Sequence, residues 1–330
     1  MKLSSTRNAA CFAGLLLCLA SLVAVSAALE IPATPEAGED GYPPYSVTFA
    51  NGVTGIPAIT YFQPLHYRPL TLDVYMPAHS NGKLPLIVYV HGGAWVTGTP
   101  RGKTVLGGWP QILAALSARG YVVAAVSYRL DGEAHFPAAI QDVKTAIRFL
   151  RKNAARFGLD PARAAVWGPS AGGQLAALAA VSCGVTAFET SSDSDVSDCV
   201  QGGVSWFGVH NFATVPVPKG NTGPAPYLGC PKFQCSKDKL AFGSPVTYVV
   251  PSDPPMLLIH GLADTLVAVS QTREFEASLR AAHVPVDMLL IPDVNHGFIG
   301  KTDAISRAAT EQALLKTFGF FDGLFGKPAH

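Results

Sequence analysis

Short apolar runs, each closed by turn residues and separated by segments of helical period, leave this chain little architectural freedom. LPLIVYVHGG (84–93), YVVAAVSY (121–128), AAVWGPS (164–170), GGVSWFGV (202–209), PMLLIHGL (255–262) and VDMLLIPD (286–293) are almost continuously apolar, and LTLDVYMP (70–77) alternates like a half-buried strand. Runs of that length suit strands covered on both faces. Between them, AAIQDVKTAIRFLRKNAARFG (138–158) repeats Ile140, Val143, Ile147 and Leu150 at helical spacing, opened by Pro137 and closed by Gly158. SQTREFEASLRAAH (270–283) groups Phe275, Leu279 and Ala282 on one face, and residues 303–325 read as a last helix. Strand–helix alternation of this kind predicts an α/β fold, a mostly parallel central sheet flanked by helices, with ligands outside the carboxyl ends of the strands. Residues 31–57, rich in Pro, Gly and small residues, read as an irregular surface segment.

Composition narrows the function classes. The chain has 330 residues, 48% hydrophobic and 14% charged, with a formal net charge of +1. It can bury a large core, and it has neither a global positive field nor a Lys/Arg-rich run to gather nucleic acid. The expected partner is a small molecule.

The N-terminus has the three parts of a secretory signal peptide over residues 1–28: Lys2 and Arg7, an apolar stretch from Cys11 to Val25, and small residues around Ser26–Ala28. The apolar stretch is short for a spanning helix, so the expectation is cleavage and a secreted or periplasmic protein without stable membrane association. Residues 29–330 then form the catalytic domain. Of six cysteines, Cys183, Cys199, Cys230 and Cys235 remain after cleavage. An even number in an exported chain reads as disulfides, and of three connectivities the local one, Cys183–Cys199 with Cys230–Cys235, closes short loops. The paired spacing of a zinc site is missing, and no metal is expected.

Residues 210–254 interrupt the rhythm with many Pro and Gly and two cysteines. A long irregular excursion inside a compact domain predicts a cap over the pocket, placed after the sixth strand; a surface loop is the alternative. Phe207, His210, Phe212 and Tyr227 either line that pocket or pack the cap, and Trp95, a further candidate, suits packing beneath its own loop better than binding substrate.

The stretch VWGPSAGGQL (166–175) places Ser170 in G-x-S-x-G between strand AAVWG and helix AGGQLAALAAVSC. Strand, sharp turn and helix make the context of a nucleophile elbow, in which Gly168, Gly172 and Gly173 leave room for crowded backbone. A serine needs a base, and His296 stands in PDVNHGF after the strand 286–293. The base needs an orienting acid. Asp264 in HGLADTLV follows strand 255–262, whereas Asp293 lies only three residues from His296, and Asp142 and Asp160 read as structural. An oxyanion would face backbone amides of Gly93 and Ala94, from HGGAW (91–95), and of Ala171 after the serine. His91 reads as a prop for that loop. The order Ser170, Asp264, His296 is that of α/β hydrolases.

With LDVYMP, VYVHGGAW, VSYRL, FPAAIQDV, DPARAAVWGPSAGG, PPMLLIHGLADTLVAVSQ and NHGF across residues 70–298, the chain resembles the α/β-hydrolase superfamily. Within it the chain is most similar to carboxylesterases related to hormone-sensitive lipase and bacterial feruloyl esterases. HGGAW in place of HGGG points to the feruloyl-esterase-like branch. The resemblance implies serine-dependent hydrolysis of small-acyl, aryl or hydroxycinnamoyl esters, with plant polysaccharide as one setting, through an acyl-enzyme and without metal or cofactor. Two other readings stand beside it: an amide hydrolase (arylformamidase or peptidase) and a non-catalytic binding protein on the same scaffold.

Overall fold

The structure, a computed structural model, describes residues 29–32, 46–64, 67–79, 82–190, 195–216 and 223–326. The expected signal peptide, 1–28, lies outside the described residues. Nine strands build one sheet: β1 (Val47–Thr48), β2 (Thr54–Phe62), β3 (Leu70–Met76), β4 (Leu84–Val90), β5 (Val122–Val126), β6 (Leu159–Pro169), β7 (Gly202–Trp206), β8 (Met256–Gly261) and β9 (Val286–Ile291). Their spatial order is β1-β2-β3-β5-β4-β6-β7-β8-β9. From β5 to β9 every pairing is parallel, and β1, β2 and β3 add antiparallel pairings at one edge. This is an α/β-hydrolase fold.

The apolar runs sit where their pattern requires. β5, β7 and β8 are buried along their whole length. On one face, α2 (Ala138–Lys152), α4 (Ala171–Val181) and α7 (Ser270–Ala281) enclose a core with Ile140, Val143, Ile147, Leu150, Phe275 and Leu279. On the other, α1 (Trp109–Ser117) and α8 (Asp303–Phe325) cover an aromatic core of Trp109, Trp167, Trp206, Phe318 and Phe321. The predicted helix 138–158 breaks at Asn153. A short α3 (Ala154–Phe157) follows, and Gly158, with φ of 64°, ends it.

Two expectations are corrected. Residues 46–57 are not irregular: β1 and the start of β2 lie there, tied by Phe49 N–H to Val53 O at 2.8 Å. The alternation in β2 is masked by Pro57 and a register shift around Ala58, whose φ is 56° and whose amide donates to Asp73 Oδ1 at 2.8 Å. The excursion also follows the seventh strand of the sheet, or the sixth only when the two-residue β1 is set aside.

The excursion has no described residue lining the cleft beside Ser170. Its helices α5 (Ala225–Leu228) and α6 (Lys237–Gly243) dock against the α2/α4 side. Phe242 packs on Phe136 and Phe188 at 5.0 and 5.3 Å between ring centroids. Gln174 Nε2 donates to Gly243 O at 3.0 Å. The excursion carries enough aromatic surface to join the core, and this sets its position. Both disulfides have the local connectivity, Cys183–Cys199 and Cys230–Cys235.

Candidate active site

Ser170 sits at the turn from β6 into α4 with φ of 55° and ψ of −121°. A non-glycine residue held there is strained, at a cost of about 1–3 kcal/mol. Glycines make the turn possible. A Cβ on Gly172 would lie 2.0 Å from Val90 O, and one on Gly168 would lie 2.4 Å from Gly172 O. Ser170 N–H donates to Trp206 O at 2.8 Å, tying the turn to the neighbouring strand.

The fold brings the three sequence candidates together. Ser170 Oγ is 2.9 Å from His296 Nε2, and His296 Nδ1 is 2.8 Å from Asp264 Oδ2. An ionised carboxylate only accepts, so Nδ1 carries the proton and Nε2 is left to accept from the serine hydroxyl. Burial alone would raise the Asp264 pKa. Hydrogen bonds from His260 and His296, with that of the Val267 amide, more than reverse this and hold the carboxyl well below the usual carboxylate range. Its Oδ1 accepts from the amides of Leu266 and Val267, both at 2.9 Å.

His260 was not singled out from sequence. Buried on β8, its Nε2 lies 3.3 Å from Asp264 Oδ2 and 2.9 Å from Val267 O, while Nδ1 meets Thr272 Oγ1 at 2.6 Å. The available signal was its position four residues before Asp264, at the end of a buried strand. Asn295 was also missed. Its Oδ1 accepts from the amides of His296 and Thr265, at 2.7 and 2.9 Å, and joins the two loops. Asp293 is exposed and makes no bond to His296. Asp142 forks onto Arg129, and Asp160 binds Arg163.

Gly93 and Ala94 line the cavity beside Ser170. Gly93 O accepts from the amides of Val96 and Thr97 at 3.1 and 3.0 Å, closing a turn that holds Gly93 at φ 126° and Ala94 at φ 54°. Among the described residues, the Gly93 and Ala94 amides donate to no other group. Ala171 begins α4, where amides lack intrahelical acceptors. His91 lies behind the turn, stacked on Tyr128 at 4.4 Å, its Nδ1 2.7 Å from Gly92 O. Burial lowers its pKa to about 4, so it is neutral at pH 7.

The cavity holds about 760 Å³. Of the candidate lining residues only Phe207 borders it, edge-on to the His296 ring at 4.7 Å. Trp95, His210 and Phe212 are buried in the core instead. Trp95 stacks on Tyr227 at 4.5 Å and donates from Nε1 to Gln174 Oε1 at 3.0 Å. His210 stacks on Phe275, and Phe212 packs beside Trp95. No described residue of 210–254 borders the cavity. Its walls come from the strand-end loops, residues 96–105, and the start of α8, with exposed Val96, Leu266 and Ile299 at the mouth.

Known proteins resemble this chain in sequence and in fold. The BD-FAE family matches residues 72–279. Esterase LipC of Mycobacterium tuberculosis is 32% identical over 219 residues, 65% of this chain and 53% of LipC. The probable carboxylic ester hydrolase LipM of the same organism is 30% identical, over 72% of this chain and 55% of LipM. This chain thus spans about half the length of the curated relatives it matches. A truncated carbohydrate esterase from gut microbiota superposes with a TM-score of 0.67 and 25% identity, covering 87% of this chain and 98% of that one. A bifunctional GH43-CE protein of Bacteroides eggerthii gives a TM-score of 0.70 and 29% identity, over 82% of this chain and 38% of that one.

Proposed function

Because the chain belongs to the BD-FAE family of α/β hydrolases, we propose that it hydrolyses carboxylic esters through an acyl-enzyme on Ser170. The observation that carries this reading is the unbroken line of hydrogen bonds from Ser170 Oγ to His296 to Asp264 at the wall of an open cavity. Ser170 Oγ attacks the ester carbonyl as its proton passes to His296 Nε2, and ionised Asp264 stabilises the imidazolium. The developing oxyanion faces the amides of Gly93, Ala94 and Ala171; losing one such donor costs about 10²–10³ in rate. The alcohol leaves with the proton from Nε2. Water, activated by the same nitrogen, then attacks the acyl-enzyme and frees Ser170.

The substrate class is small-acyl, aryl or hydroxycinnamoyl esters, including those that decorate carbohydrate. Two observations support it: the apolar mouth formed by Val96, Leu266 and Ile299, and the likeness to carbohydrate esterases. Export by the segment 1–28 completes the proposal. It is supported by two disulfides, which persist in oxidising compartments. Among the described residues no helix is long and apolar enough to cross a membrane.

The test is the initial rate on 4-nitrophenyl acetate and on methyl ferulate, wild type beside Ser170→Ala, with fluorophosphonate labelling of both. Turnover and labelling that vanish in the variant are expected. Equal rates in both proteins would refute the assignment of Ser170.

A further inference from the structure

The cavity wall includes one basic residue that ester hydrolysis does not use. Among the described residues lining it there is no Asp or Glu, and Lys103 is the sole Lys or Arg. Lys103 is exposed, and its ammonium makes no ion pair among the described residues. The nearby guanidinium of Arg101 is committed elsewhere: it forks onto buried Asp73 with both contacts at 2.7 Å.

The backbone under Lys103 is held from several sides. Lys103–Thr104 pairs with Gly107–Gly108 in a two-residue antiparallel ladder outside the main sheet. Trp109 N–H donates to Gly102 O at 2.8 Å, and Gly102 N–H to Thr99 O at 3.3 Å. From α8, Arg307 Nη1 donates to Val105 O at 2.7 Å. The Arg101–Asp73 fork ties the base of this hairpin to β3. A backbone held this way loses little further freedom when its side chain engages a ligand.

The remaining walls supply no competing charge. Thr104 and Thr310 direct their hydroxyls to Gly107 O and Ser306 O, and His91 is neutral at pH 7. Val96, Leu266 and Ile299 are apolar. The Lys103 ammonium meets solvent, so its attraction for an anion is modest and salt-dependent, but no opposite charge on the cavity wall neutralises it. With a net charge of only +1, the whole chain has no general attraction for anions, so any preference arises locally.

We propose that Lys103 binds a carboxylate on the substrate whose ester reaches Ser170. This rests on the ester-hydrolase reading. The carboxylate belongs either to the alcohol side, as in a uronic acid residue, or to the acyl side, as in a half-ester of a dicarboxylic acid.

Two substrate pairs separate these sources. On the acyl side, 4-nitrophenyl hydrogen glutarate is compared with its methyl ester. On the alcohol side, 4-acetoxybenzoate is compared with methyl 4-acetoxybenzoate. The readout is the ratio of kcat/KM, anionic over neutral, which cancels any general loss of active protein. In one pair, Lys103→Ala lowers the ratio about tenfold, the worth of one charge-assisted contact. Lys103→Glu lowers it further and Lys103→Arg retains it. Added salt erodes the preference in wild type more than in Lys103→Ala. The responding pair identifies which side carries the anion. Ratios that are equal in wild type, Lys103→Ala and Lys103→Glu for both pairs overturn the proposal. If wild type turns over neither neutral ester, the ester-hydrolase reading fails and this one falls with it.

Discussion

Asp264 receives four donors at once, His296 Nδ1, His260 Nε2 and the amides of Leu266 and Val267. The charge is buried yet stays ionised, and its direction is set in part by His260 and the Val267 amide, neither of which borders the cavity. Replacing it with asparagine keeps the volume but places an amide where an acceptor is needed, which forces the wrong imidazole tautomer. Asp264→Asn is expected to lower kcat by about 10⁴ with little change in KM. A steady-state comparison showing less than a tenfold loss would contradict the role. Ser170, Asp264 and His296 were legible in sequence because each follows a recognisable buried strand, and strand ends fix where loops emerge. His260 was harder to see, since a histidine within an apolar run looks like any core residue. Trp95, His210 and Phe212 were ambiguous for a related reason. An aromatic just beyond a strand end has the same sequence signature whether it turns into the cleft or into the core.

At the scale of elements, the parallel strands were plain in sequence because burial on both faces leaves an uninterrupted apolar run. β2 was hidden because an edge strand with a bulge and a proline loses its alternation. The excursion was visible as an insertion, but its docking face was not. That face is chosen by Phe136, Phe188 and Phe242, which meet only in three dimensions. A second device strengthens the same side. Cys183–Cys199 closes a loop that also returns Asp198 to Lys144 and Arg148 on α2, and Ser197 and Cys199 carbonyls to Arg151. Removing that bridge with Cys183→Ser and Cys199→Ser together should lower stability by about 3 kcal/mol. Urea unfolding monitored by tryptophan fluorescence measures this, and an unchanged midpoint would show that the ion pairs alone fix the loop. Activity on a neutral aryl ester should survive, because none of these residues borders the cavity.

For the whole molecule, acid stability follows from two buried histidines. Burial lowers His91 to about 4, and burial with the neighbouring His260 lowers His210 to about 3. In the unfolded chain both protonate near pH 6.5, so below that pH the unfolded state binds more protons and stability falls. Each histidine contributes a slope of about 1.4 kcal/mol per pH unit, from 6.5 down to its folded value, and the loss is complete below it. Asp253, raised to about 6 by burial, acts in the opposite sense and offsets part of this. Urea midpoints measured from pH 7 to pH 4.5 should fall steadily, and His210→Gln should flatten the curve; a level profile would refute the account. The separation of roles across the sheet has a consequence for descent as well. The hairpin around Lys103 has its own ladder and borders the cavity, while the excursion is woven into the core. Inherited changes at residues 99–108, apart from Arg101, which pairs with buried Asp73, and Leu106, which packs on the aromatic core, can therefore alter what is accepted at Ser170 without disturbing the packing that makes the chain fold. Lineages of this scaffold can drift between ester classes through a ten-residue stretch, and libraries restricted to it would keep a larger fraction of folded variants than libraries spread over 210–254.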